Sequence, residues 1–165
     1  MKKVFIVILL LGYCIYGQEN KFVKDDISDT WMIVGTSTRK AYQDSNFAEW
    51  FNYEYTNYEI DTKVIRNFKS NFENKVIIIV LGTWCPDSRR EVPRLLKILD
   101  FIEFPKDKTY FINVDRKKKS AMGEEEGLDI EYVPTIIVNE NGKELGRIIE
   151  TPQISLEEDL RRLVN

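Results

Sequence analysis

The chain has 165 residues, with 24 lysines and arginines against 27 aspartates and glutamates, a formal net charge of −3 and no histidine. A weakly acidic chain without a basic arm argues against a nucleic-acid partner, and the lack of imidazole excludes a Cys-His or Ser-His hydrolase. Two cysteines and scattered carboxylates do not assemble the usual zinc ligand set either.

Lys2 and Lys3, an apolar run from Val4 to Leu11 and a mixed stretch from Gly12 to Gly17 have the three-part layout of a secretory leader. The apolar run is shorter than the roughly 20 residues of a membrane helix, so cleavage near Gly17 is expected rather than a stable membrane span. A cysteine closing such a leader can be lipidated, and Leu11-Gly12 before Cys14 would suit that. Tyr13, however, stands where a small residue is required. The expectation is a periplasmic or secreted protein that discards Cys14 with residues 1–17. About 148 residues then remain, with a net charge near −5 and one cysteine, Cys85, enough for one domain with its own core and no internal disulfide.

Residues 18–60 are rich in aromatics, and Phe47, Trp50 and Phe51 stand at helical spacing behind Asp44 or Ser45 as a cap. This segment reads as an N-terminal helical extension whose aromatic stripe packs on the main sheet, and residues 61–165 as an α/β domain. Asp61 caps a helix running through Phe68. Val76 to Leu81 is a continuous, largely β-branched run, the pattern of a central strand covered on both faces. The chain turns at Gly82, and Pro86 suits the first turn of a helix to about Leu99 that buries Val92, Leu95, Leu96 and Leu99. Pro93 inside that helix removes one backbone donor and should kink it.

Tyr110 to Val114 is the next strand, and the strand, helix, strand order implies a parallel crossover. Arg116-Lys117-Lys118-Lys119, offset by Glu124-Glu125-Glu126, reads as a solvated loop, and Ser120 to Glu126 as a modest helix. Thr135–Val138, the turn Asn139-Glu140-Asn141-Gly142 and Lys143–Ile149 make an antiparallel hairpin. A helix from Ser155 to Val164 closes the chain, with Ser155 and Glu158 at capping-box spacing.

Cys85 therefore sits between a buried strand and a helix. A thiol there sees unpaired backbone amides and the positive end of the helix dipole, both favouring the thiolate. Exposure and reactivity are expected, with Trp84 shielding one side of the sulfur and Pro86 presetting the helix start. The plainer alternative is a buried cysteine acting as a small apolar residue.

Trp84-Cys85-Pro86-Asp87-Ser88, Pro93 eight residues after the cysteine, and Val133-Pro134-Thr135 opening the hairpin together resemble the thioredoxin superfamily. The resemblance spans about Val64 to Val164. With the leader, the extension and Arg90-Glu91-Val92-Pro93-Arg94, the chain looks closest to bacterial periplasmic thioredoxin-like proteins of the disulfide-reductase type. What this implies is a thioredoxin fold: a central mixed sheet flanked by helices. Cys85, Ser88 and Pro134 would be catalytic, Cys85 as nucleophile and Pro134 as a cis proline facing it. Trp84, Pro86 and Val133 would meet the substrate, an extended chain pairing with the Val133 backbone.

Two departures matter. Ser88 stands where the resolving cysteine belongs, and Ile79, six residues before Cys85, stands where many members carry a buried aspartate. A thiolate can still attack a disulfide and form a mixed disulfide, but release then needs an outside thiol. Ser88 either donates a hydrogen bond to the thiolate or is an ordinary first-turn residue. Asp87, Arg89 and Arg90 read as solvated charges, with the alternative that an arginine attracts an acidic, glutathione-like thiol. The leading expectation is a monothiol exchange protein working on protein or low-molecular-weight disulfides with an external thiol reductant and no cofactor. The alternatives are a non-catalytic peptide-binding module and a peroxide sensor through a sulfenic acid at Cys85.

Overall fold

A computed structural model describes residues 20–165. The leader read over residues 1–17, with Cys14, lies outside them. In chain order the elements are β1 (Phe22–Lys24), β2 (Trp31–Ile33), β3 (Gly35–Ser37), α1 (Ala48–Asn57), α2 (Thr62–Ile65), β4 (Lys75–Leu81), α3 (Pro86–Phe101), β5 (Thr109–Asn113), β6 (Thr135–Glu140), β7 (Lys143–Ile149) and α4 (Leu156–Val164). Short 3-10 turns cover Arg39–Gln43, Arg66–Phe72 and Lys106–Lys108.

The chain is a mixed α/β protein. Its five-stranded sheet has the order β3-β5-β4-β6-β7, while β1 and β2 form a separate antiparallel pair. β4 is central, parallel to β5 from Ile77 opposite Thr109 to Leu81 opposite Asn113, and antiparallel to β6. The run of apolar residues explains that place: Ile77, Ile79 and Leu81 enter the main core with α3 and α4, while Ile78 and Val80 face a smaller cluster on the other side of the sheet. Cys85, Ile112, Val114 and Val133 belong to that smaller cluster.

The N-terminal segment departs from the helical extension expected of it. It carries α1, but also three strands, and β3 pairs antiparallel with β5 as an edge of the main sheet. The boundary placed at residue 60 is thus crossed by the sheet, and by Tyr42, Phe47 and Phe51, which are buried in the main core. The physical reason is in part local, since Trp31-Met32-Ile33-Val34 suits a strand and Gly35, at φ +97°, supplies the left-handed turn that starts β3, and in part distant, since β3 gains its ladder only from β5. Asp44 spends its carboxylate on the N–H of Asn46 at 3.0 Å rather than capping α1.

Residues 120–126 form turns, not the helix expected. The Ser120 hydroxyl accepts from the Glu124 N–H at 2.7 Å and donates to the Glu124 carboxylate at 2.5 Å. Such local bonds compete with the helical ladder, and Gly123 and Gly127 take positive φ. Elsewhere the caps fall where the sequence puts them. Asp61 accepts from Lys63 and Val64, and the Ser155 hydroxyl accepts from the Glu158 N–H at 3.1 Å. Glu158 does not reach back to complete the box; it pairs with Arg161. Among the described residues no helix is long and apolar enough to cross a membrane.

Candidate functional site

The end of β4, the turn Gly82-Thr83-Trp84 and the start of α3 bring the candidate residues together. The Cys85 N–H donates to the Gly82 carbonyl at 2.9 Å, closing the turn. Cys85 is then the N-cap of α3 with extended backbone, and Pro86 takes the first helical position, where a missing N–H costs nothing. The thiol does not cap the helix. It donates to the Val133 carbonyl at 3.2 Å, and the Val133–Pro134 peptide that follows is cis. Cys85 and Val133, 48 residues apart in sequence, thus meet, with Pro134 next along the chain.

Cys85 is only 7 % exposed, against the exposure expected of it. Its side chain is held among Val80, Ile112, Val114 and Val133, so the helix start alone did not set its accessibility. Ser88 is fully buried, and its hydroxyl accepts from the Gly82 N–H at 3.2 Å. That bond ties the first turn of α3 to the end of β4, while the thiol's partner is the Val133 carbonyl. Ile79 lies in the main core on the opposite face of the sheet.

Trp84 folds back over Gly82. A Cβ at residue 82 would stand 2.6 Å from the indole, so only glycine fits beneath it. The indole N–H donates to the Val114 carbonyl at 2.8 Å, and the Arg116 guanidinium lies over the ring, 5.1 Å from its centroid. Pro86 is exposed beside it.

Arg116 belongs to the run read as a solvated loop, and that reading is corrected. Its Nε and a terminal nitrogen donate to Asp25 at 2.9 and 2.7 Å, and Asp25 is 2 % exposed. The Arg116 bond, helped by Ser28, holds the Asp25 carboxyl well below the usual carboxylate range. The same bond raises Arg116 above its ordinary value. Asp25 lies in the β1–β2 loop, so the hairpin reaches the tryptophan of the turn through one arginine. A second tether runs from the Ile33 N–H to the buried Thr83 hydroxyl at 3.1 Å.

Asp87, Arg89 and Arg90 are half-buried rather than solvated. Arg90 pairs with Asp87 at 2.7 Å and Glu91 at 2.6 Å. Arg89 donates through Nε to the Thr83 carbonyl at 2.5 Å and lies over Trp50. Burial pushes its pKa down, with Arg116 adding to that and the Cys85 and Asp25 charges opposing it.

Asp25, Thr83 and Arg116 were not among the candidate residues of the sequence. The one available signal was Asp25-Asp26-Ile27-Ser28-Asp29, a turn-forming cluster whose Asp25 accepts from Ile27 and Ser28. Its pairing with Arg116 spans 91 residues and has no local signature.

No family model matches the chain, and no curated protein matches it. Among solved structures, a protein of unknown function from Pseudomonas aeruginosa is 18 % identical, over 71 % of this chain and 84 % of that one, with a TM-score of 0.33. An HIV epitope-scaffold is 17 % identical, over 72 % and 87 %, with a TM-score of 0.32.

Proposed function

We propose that this chain is a thioredoxin-like, one-cysteine thiol-disulfide exchange protein acting in an oxidising compartment beyond the leader-like residues 1–17. The observation that carries the reading is the meeting of the Cys85 thiol, at the start of α3, with the carbonyl before cis Pro134, in a cluster against which Trp84 packs. In the reaction the Cys85 proton passes to solvent, since no imidazole exists to take it. The thiolate attacks one sulfur of a disulfide; the new S–S bond forms as the old one breaks, and the departing thiolate takes the electron pair. An external thiolate then attacks the mixed disulfide and expels Cys85. Ser88 cannot perform that second step, having no sulfur.

The test is trapping. Incubation with a disulfide-bearing protein should give a Cys85-dependent adduct that dithiothreitol releases and Cys85→Ala abolishes. In an insulin-type disulfide reduction assay, Ser88→Cys should raise turnover. A thiol that stays inert to disulfides in the folded protein would sink the reading.

A second reading, a non-catalytic peptide-binding module, draws support from the burial of Cys85 and the engagement of its thiol with Val133. It predicts the same partners for wild type and Cys85→Ala, with no disulfide-linked species.

A further inference from the structure

Among the described residues, no carboxylate pairs with Arg89. Among the described residues, the six other half-buried arginines each hold a carboxylate. Among the same residues, Arg89 meets the Thr83 carbonyl, through Nε, and the face of Trp50 at 5.9 Å. Of the charged groups that reach it, Asp25 and Arg116 already neutralise each other, and Cys85 stands as a thiol that donates to the Val133 carbonyl. A guanidinium taken half out of water without a counter-ion is costly, and its remaining fork of donors matches a carboxylate.

That guanidinium lines a groove of about 750 Å³. Trp31 of the hairpin, Trp50 and Tyr53 of α1, and Pro86 beside Cys85 form its walls. Trp31 and Tyr53 are 41 and 65 % exposed, and the Trp50 indole N–H is enclosed without an acceptor among the described residues. Of the carboxylates on the walls, Asp29 is held by Lys24 and Glu54 by Arg94, while Glu49 lies exposed in the first turn of α1. Because the groove reaches Pro86, a chain linked to Cys85 can lay its neighbouring residues there, each advancing it by about 3.3–3.6 Å.

We propose that this groove receives an acidic stretch of the disulfide-bearing partner protein, a carboxylate within about three residues of its cystine pairing with Arg89 while apolar groups lie on Trp31 and Tyr53. The inference rests on the exchange reading of Cys85. The chain's net charge is negative, so a preference for an acidic partner would not come from its overall field.

The probes are the disulfide-linked dimers of acetyl-Glu-Cys-Glu-amide and acetyl-Lys-Cys-Lys-amide, the small dianion 3,3′-dithiodipropionate, and neutral iodoacetamide as a gauge of the thiol itself. Wild type should form the mixed disulfide with the Glu peptide about tenfold faster than with the Lys peptide at low salt, a preference that added salt weakens. Arg89→Gln should bring the ratio close to one and Arg89→Lys should keep part of it, with iodoacetamide alkylation of each protein measuring, and correcting for, any change in the thiol itself. An unchanged ratio in Arg89→Gln overturns the proposal. So does an equal loss with iodoacetamide, since Arg89 then serves only the thiolate. A dianion that reacts as fast as the Glu peptide overturns the assignment to a peptide. If no disulfide reacts, the exchange reading fails, and equilibrium binding to Cys85→Ser, read by tryptophan fluorescence, decides the groove alone. Arg89-dependent binding of the Glu peptide sustains it; no binding, or occupation of the groove by a second copy of the chain, overturns it.

Discussion

Gly82→Ala tests whether the tryptophan of the turn is held as described. Gly82 does not sit at positive φ, so alanine fits the backbone and would by itself stabilise by about 0.4–1 kcal/mol through the unfolded state. Against this stands the new methyl group, 2.6 Å from one indole carbon and 2.7 Å from the indole nitrogen. A flexible side chain would yield, but Trp84 is rigid and held by the Val114 carbonyl and the Arg116 guanidinium. Overpacking costs about 1–3 kcal/mol. If the indole swings out instead, the Val114 carbonyl loses its donor at about 1–3 kcal/mol and the cation–π contact at about 0.5–1. The clash outweighs the gain on either route, for a net loss of about 1–2 kcal/mol, or a fall in Tm of about 2–8 °C for a domain of this size. Thermal unfolding followed by circular dichroism measures it, and Cys85 alkylation should change alongside. Pairing it with Trp84→Leu should give a double variant less destabilised than the sum of the singles, because the clash is shared. A Gly82→Ala protein that melts within about 1 °C of wild type, with unchanged Cys85 reactivity, would refute the packing argument.

Asp25→Asn removes the anion that holds Arg116 and should lower the urea midpoint. If Arg116→Lys preserves wild-type stability, the two-pronged bond is not what matters, since lysine offers only a point charge. Burial raises the Glu125 pKa, but Ser120 and backbone N–H donors outweigh it and leave the group at about 2. A depressed carboxylate contributes stability that is complete above its unfolded pKa and lost as pH falls through the folded one. The stability of wild type should therefore decline from about pH 4.5 toward pH 2, less steeply in Glu125→Gln, as read by urea midpoints across that range. Glu157, 1 % exposed, accepts from the Tyr58 hydroxyl at 3.0 Å and the Asp61 N–H at 3.1 Å. Glu157→Ala should cost about 2–4 kcal/mol by chemical denaturation, with two donors left behind; a neutral result would mean that α4 is not pinned to the start of α2 by this carboxylate.

The central strand, the long helix, the hairpin and the closing helix were legible because each carries a period, a cap or a turn signal within a few residues. Val76–Leu81 announces its burial on both faces, and Asp61 and Ser155 sit where their caps fall. The three short N-terminal strands were not legible. Each has three residues, too few for alternation to show, and β3 owes its place to pairing with β5, 78 residues away at Gly35 opposite Asn113. At the site, the identities of Cys85, Trp84, Ser88 and Pro134 could be read from the motif and its spacing, but exposure could not. Whether a thiol at a helix start is open depends on what packs above it, and here Val80, Ile112, Val114 and Val133 come from three different parts of the chain. Arg116 was misread for the same reason: in sequence it is one of four adjacent cations, and only its distant partner Asp25 sets it apart.

Ser88 is where the one-cysteine reading meets the packing most directly. Its hydroxyl is fully buried and takes the Gly82 N–H, a backbone donor that would otherwise stand unpaired beneath Trp84. A thiol is a weak acceptor, so Ser88→Cys would supply a resolving sulfur and at the same time weaken the brace between β4 and α3. The two effects are separable. Turnover with disulfide substrates reports the sulfur, whereas the urea midpoint of the reduced protein reports the brace, and Ser88→Ala shares the second effect without the first. A gain of turnover in Ser88→Cys that comes with the stability loss of Ser88→Ala would mean that the residue is a structural acceptor in a site otherwise competent for two-cysteine chemistry. If turnover stays flat while stability falls, the geometry around Cys85, with its thiol turned toward Val133, is itself what limits the site to capture.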